Sequence, residues 1–223
     1  MDFNFLSATP LFLGMTDTEI QTVLSCVGYR ERLYKKGEIV FHAGSTVHEI
    51  GLVESGSVNV TVNFYWGQSN IFGHIEKGAV FAEHYAAIPG TELLCDIVAS
   101  EDAEILFLDI DRIMNTCQNE CVFHKRLIQN LLKISAQKSL TLSARMIHIA
   151  PKSLRARIQS YLSEQALLSG SSHFSIPFDR QQLADYLGVD RSALSGELSK
   201  MKKAGLISFK KNEFTLHDRF PDT

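Results

Sequence analysis

The sequence predicts an α+β protein with a strand-rich N-terminal half, one long helix and a C-terminal winged helix-turn-helix. Three stretches carry that expectation. Between residues 32 and 109, short runs alternate apolar and polar side chains and are punctuated by glycines. Residues 120–147 keep helical spacing, in a region without glycine between Gly90 and Gly170 and without proline between Pro89 and Pro151. Residues 178–214, FDRQQLADYLGVDRSALSGELSKMKKAGLISFKKNEF, spell two short helices, a tight turn and a hairpin.

In chain order, residues 1–30 read as helical. Thr16-Asp17-Thr18-Glu19 is a capping start, and Ile20, Val23, Leu24 and Val27 follow at helical spacing. Short strands are expected at 39–41, 49–53, 57–62, 69–72, 96–99 and 103–108, and many closely spaced short strands mean a barrel or sandwich. The long helix carries Phe123, Leu127, Leu131 and Ile134 beside a second stripe of Ile128, Leu132, Leu142 and Met146. Such a helix spans about 40 Å, too long for one small domain to cover, so the second stripe reads as a parallel dimer seam. Pro151 breaks it, Ser153 caps a helix over 154–168, and residues 168–172 turn. Ala150-Pro151-Lys152 is the expected hinge.

The last stretch has the chemistry of a DNA reader. Leu183, Ala184 and Leu187 give the first helix its apolar face, and Gly188 permits the sharp turn. Asp190 is placed to supply an N-cap oxygen to the second helix, which buries Ala193 or Leu194, then Leu198 and Met201, and ends at Gly205. Its outward face is Arg191, Ser192, Ser195, Gly196, Ser199, Lys202 and Lys203. Short side chains approach the major-groove floor, hydroxyls and guanidinium address base edges, and flanking lysines meet phosphates. Residues 206–209 and 213–216 form a hairpin with a basic tip at Lys210 and Lys211.

Charge sorts the same way. Residues 1–149 hold 11 Lys/Arg against 17 Asp/Glu, a net of −6, whereas residues 150–223 hold 11 against 8, a net of +3. An acidic sensor joined to a basic reader limits non-specific DNA adhesion. No apolar run is long enough to span a bilayer, the N-terminus lacks a secretory signal pattern, and four unevenly spaced cysteines make no disulfide framework. The expectation is a cytoplasmic protein without a membrane partner.

Through DRSALSGELSKMKKAGLI and the preceding IPFDRQQLADYLGVD, the chain resembles the Crp/Fnr family of bacterial transcription regulators over nearly its whole length. The resemblance implies an N-terminal double-stranded β-helix (a cyclic-nucleotide-binding-like β-roll) over 1–110, a dimerisation helix over 111–149 and a winged helix-turn-helix over 150–223. It places Arg180 and Gln181 on phosphates, and Arg191, Ser192, Ser195 and Gly196 on the base-reading turn, with Ser199, Lys202 and Lys210 beside them. Many members carry arginine where this chain has Gly196, so its operator should differ.

The resemblance also puts residues 81–99, FAEHYAAIPGTELLCDIVA, on the phosphate-binding cassette. Glu83 keeps the ribose-binding position. Ala82 stands at the glycine, and Leu93-Leu94 stand at the Arg-Ser pair. Leucines leave a phosphodiester charge unpaired, at a cost on the order of several kcal/mol. An effector pocket around Ala82, Glu83, His84, Tyr85, Leu93 and Leu94 should therefore reject cyclic AMP and cyclic GMP.

Other ligands find less support. His74 or His84 in a haem site is the alternative, but without HxH or HExxH spacing a structural role is preferred, and His42 and His48 are weaker still. Cys26 alone cannot hold an iron–sulfur cluster. Cys117 and Cys121, four apart, would suit a redox switch or a soft-metal pair, but two buried apolar thiols are preferred. No Gly-rich phosphate loop, nucleophile elbow or paired metal-ligand motif is present, so no enzyme is expected, and the sequence names no cofactor. The expected function is a homodimeric regulator that binds a pseudo-palindromic double-stranded operator, with RNA polymerase as a partner and an unidentified small-molecule effector. A module acting through protein contacts, or a haem or redox sensor, is the competing reading.

Overall fold

The computed structural model describes residues 1–64, 69–115 and 122–217. Two compact units, Met1–Gln137 and Lys138–Thr223, meet inside the long helix.

The first unit opens with α1 (Phe3–Ala8) and α2 (Asp17–Val27). The Thr16 hydroxyl accepts from the Glu19 N–H, and the Glu19 carboxylate accepts from the Thr16 N–H at 2.7 Å. This is the capping box expected there, and Ile20, Val23, Leu24 and Val27 are the buried face. Strands β1 (Tyr29–Tyr34), β2 (Ile39–Phe41), β3 (Glu49–Ser55), β4 (Ser57–Asn63), β5 (Ser69–Glu76) and β6 (Val80–Phe81) follow. The short α3 (Glu83–Ala86), β7 (Asp96–Ala99), β8 (Ala103–Asp109) and α4 (Ile110–Met114) complete the roll. The strands form two antiparallel sheets, in order β1-β8-β3-β6 and β2-β7-β4-β5.

Aromatic rings join the sheets. Phe41 meets Phe81 and Phe107 edge-on, with centroids 6.0 and 5.6 Å apart. Gly51 makes room for them, since a Cβ there would lie 2.2 Å from the Phe81 ring. Alternation does not reveal β1, because five of its six residues are exposed; it is fixed by pairing with β8, from Tyr29 opposite Leu108 to Tyr34 opposite Ala103. With only two residues, β6 has no pattern to read.

Helix α5 (Val122–Ile149) buries Leu127 and Leu131, with Phe123, Ile128 and Ile134 packed around them. Ile128 thus joins the core-facing stripe. Asn130 anchors the same face by donating to the carbonyls of Leu11 and Leu13, both at 3.0 Å. Leu132, Leu140, Leu142, Met146 and Ile147 are exposed.

The second unit adds α6 (Leu154–Ser169), β9 (His173–Ser175), α7 (Arg180–Leu187), α8 (Arg191–Lys203), β10 (Ile207–Lys210) and β11 (Glu213–Leu216). Ser153 caps α6, accepting from the Ala156 N–H at 3.2 Å. A three-stranded sheet, β10-β11-β9, closes over a core that includes Ile158, Leu162, Leu183, Leu187, Leu194, Leu198 and Phe214. Among the described residues, no helix is long and apolar enough to cross a membrane. Cys117 and Cys121 lie outside the described residues.

Candidate nucleic-acid interface

The turn between α7 and α8 is built as its residues dictate. Asp179 and Gln182 cap α7 reciprocally, each side chain accepting from the other's backbone N–H at 2.8 Å. Gly188 ends it at φ 66°, and the Val189 N–H reaches back to the Ala184 carbonyl at 3.0 Å. Asp190 stands at the N-cap of α8, but its side chain caps nothing, contrary to expectation. Its backbone carbonyl accepts from Leu194 instead, so the helix starts on backbone geometry alone. Of the two apolar alternatives, Leu194 is buried and Ala193 exposed, and the helix ends at Lys203, two residues early.

On the outer face of α8, Arg191, Ser192, Gly196, Ser199 and Lys202 are exposed and Ser195 is half-buried. No atom lies within 4 Å of the position a Cβ would take on Gly196. Ser199 spends its hydroxyl proton on the Ser195 carbonyl at 2.9 Å, which leaves it an acceptor toward any ligand. Glu197, among these residues, is held by Arg155 at 2.6 Å, an α6–α8 tie that lowers its carboxylate pKa.

The wing is tied to this face through Arg180. Its guanidinium lies 5.0 Å from the Phe209 ring and 5.7 Å from the Phe214 ring, and donates to the Lys211 carbonyl at 3.2 Å. Burial, then the Arg191 charge, lower its pKa, yet a guanidinium stays cationic. Lys202 Nζ sits 5.3 Å from the Phe209 ring. Lys210 is exposed at the end of β10, and Lys211 takes φ 56° in the two-residue turn to β11. Gln181 is exposed but donates to Asp185 at 2.8 Å.

Sequence reasoning missed what lies behind the reader. Arg145, near the end of α5, donates to the carbonyls of Tyr186 and Asp185 on α7 at 3.0 and 2.9 Å. His148 is 1% exposed, with Nδ1 2.8 Å from the Tyr186 hydroxyl and Nε2 3.2 Å from the Glu164 carboxylate. Tyr161 and Phe178 pack against the same ring cluster, and burial pushes the Tyr161 phenol pKa well up. Arg157 donates to the Pro151 and Leu187 carbonyls. The expected hinge at residues 150–152 is therefore bridged on both sides. A histidine three residues before Pro151 was the available signal.

In the roll, Ala82 has φ 64°, the left-handed conformation that glycine takes most easily, so the cassette keeps its turn without the glycine. Glu83 and Leu93 are buried, each 2% exposed. His84 faces Glu83, with Nδ1 3.3 Å from Oε1, and is half exposed itself. Tyr85 is half-buried. Leu94 is 80% exposed, so the two leucines do not share one lining as expected: the chain bends at Leu94, just before β7, and carries it out to solvent. His74 Nδ1 lies 2.7 Å from the Asn59 side-chain oxygen on the neighbouring strand.

The cyclic nucleotide-binding domain family matches residues 31–120, and the Crp-like helix-turn-helix domain family matches residues 156–220. The chain belongs to the Crp/Fnr family of transcription regulators. Among curated relatives, this Crp/Fnr regulator is 22% identical over 208 residues to transcriptional activator protein FnrL of Cereibacter sphaeroides, covering 86% of this chain and 77% of that one. It is 21% identical over 195 residues to electron transport regulator A of Shewanella oneidensis, covering 81% and 72%. A solved CooA mutant from Carboxydothermus hydrogenoformans shares the fold, with a TM-score of 0.54 at 24% identity over 95% of this chain and 96% of that one. The Crp/Fnr assignment and the geometry agree, since the two matched segments are the roll and the winged helix.

Proposed function

We propose that this Crp/Fnr regulator acts as a homodimer in which two α8 helices read a pseudo-palindromic double-stranded operator. The observation that carries the reading is the exposed face of α8, where Arg191, Ser192, Gly196 and Lys202 leave a slender polar surface beside a basic wing. Arg191 and Ser192 address base edges, Ser195 and Gly196 allow close approach, and Ser199 offers an acceptor. Lys202, Lys210, Arg180 and Gln181 meet phosphates. The exposed Leu132, Leu142 and Met146 on α5 supply the dimer seam, and a two-fold axis sets half-sites about 34 Å apart.

The controlling effector is a molecule other than cyclic AMP. Buried Leu93 offers no donor to a cyclic phosphate, and exposed Leu94 restores none. The domain division follows function, with the roll as sensor over 1–110, the dimer helix over 111–149 and the reader over 150–223. RNA polymerase is the partner through which operator occupancy acts, and the cytoplasm is the working compartment.

Selection of bound sites from a random duplex library tests the reading. Expected is a two-fold-related motif bound by a dimer, with log affinity falling against log salt by about 0.9 per phosphate contacted. Lys210→Ala should weaken all duplexes alike and reduce that slope by about one. An asymmetric motif, or flat salt dependence, would point to the protein-contact reading instead.

A further inference from the structure

A cavity lies where the N-terminus and α1 meet β3 and β8, the two inner strands of the β1-β8-β3-β6 sheet. It measures about 350 Å³ and is lined by Asp2, Phe5, Glu54, Lys77 and Glu104 among others. Register explains why Glu54 looks into it. Val53 pairs with Ile105 and Ser55 with Glu104, so Glu54 is the extra residue of a β-bulge and its side chain leaves the normal alternation. Glu54 is 7% exposed, and its Oε2 has no hydrogen-bond partner. A buried carboxylate oxygen without a donor is costly and needs an explanation.

The surrounding charges are acidic. Asp2, Glu31, Glu54 and Glu104 gather here against Lys77 and the Met1 ammonium. Neither cation donates to Glu54 Oε2: Lys77 Nζ sits 4.4 Å from the Phe5 ring centroid, and the Met1 nitrogen lies 3.7 Å from Glu31, acting on Glu54 through its charge alone. Among the described residues no group of three or more His, Cys, Asp or Glu is arranged to hold a metal ion. The missing partner must bring its own N–H donors.

We propose that this cavity binds a small organic ammonium ion, a protonated primary amine whose N–H donates to Glu54 Oε2. An ammonium carries three donors, enough for Glu54 and a second carboxylate, and the volume suits a short aliphatic chain. Burial, then Glu31 and Glu104, push the Glu54 carboxyl up to about 7, against the opposing charge of the Met1 ammonium. Binding therefore releases a proton and tightens as pH rises.

The test is calorimetric titration of the full chain with 1,4-diaminobutane, and with 1,4-butanediol as the uncharged counterpart. Expected is saturable diamine binding at pH 8, about ten-fold weaker at pH 6, with no binding of the diol. Glu54→Gln, checked for folding by circular dichroism, should weaken the diamine at least about ten-fold at pH 8. Glu104→Gln, a partly exposed site, provides a second variant and should also weaken it. No saturable binding at pH 8, equal affinity in the variants, or equal affinity at pH 6 and 8 would overturn the proposal.

Discussion

Arg145 Nε donates to the Tyr186 carbonyl at 3.0 Å, joining the last turns of α5 to the C-terminal end of α7. A cation at a helix C-terminus satisfies carbonyls that have no intrahelical partner and complements the helix dipole. The end of α5 is thereby tied to α7, the helix that precedes α8.

Arg145→Ala should therefore loosen the reader. Two hydrogen bonds from a charged donor are lost, and destabilisation of about 2–3 kcal/mol is expected. Urea unfolding followed by tyrosine fluorescence checks it. The variant should also bind operator more weakly than its remaining folded fraction accounts for.

Arg191→Ala should cost about 1–3 kcal/mol of specific DNA binding, because its guanidinium lies on the exposed first turn of α8. The dimer should stay intact, since Arg191 touches none of the apolar stripe on α5. Fluorescence anisotropy on operator and scrambled duplex, with sedimentation for the dimer, separates the effects. Wild-type operator affinity would remove Arg191 from the base-reading set.

Gly196→Arg should redirect preference toward a guanine-containing half-site. Gly196 is exposed and no atom lies within 4 Å of where its Cβ would sit, so a side chain can start there without a clash. Replacing a mid-helix glycine should also stabilise α8 by about 0.5–1 kcal/mol. Library selection with the variant reads the preference, and an unchanged motif would refute it.

Stability should depend on Glu54 in a definite direction. Its carboxyl is pushed from an ordinary 4.5 to about 7, so the folded state favours the protonated form. That stability is fully present below the unfolded pKa and is lost as pH rises from about 4.5 through about 7. Glu54→Gln should then gain about 3 kcal/mol at pH 8 and almost nothing at pH 4. Denaturant midpoints at the two pH values measure it.

Ala82→Gly should stabilise the roll by about 1 kcal/mol, since φ 64° strains a residue with a Cβ. It should not create cyclic AMP binding, because Leu93 remains without a phosphate donor. Thermal unfolding and calorimetric titration with cyclic AMP read the two outcomes; heat from the nucleotide would contradict the effector reading.

How much was legible depended on how local the physics was. The capping box at Thr16 and Glu19, the Gly188 turn and the polar face of α8 are decided within a few neighbouring residues, and spacing reveals them. Asp190 had the right residue type for a cap, yet side-chain geometry decided otherwise. The exposed β1 and two-residue β6 carry no periodicity of their own, so only their cross-strand partners define them.

The sequence by itself determined the order of roll, helix and winged helix and the polar face of α8, because each is a matter of residue type at a spacing. Tertiary structure alone decided that Leu93 is buried while Leu94 is exposed, that Arg145 and His148 grip α7, and that a bulge turns Glu54 into a cavity. Those outcomes depend on residues brought together from distant parts of each unit, where burial and register act on side chains that no local pattern can relate.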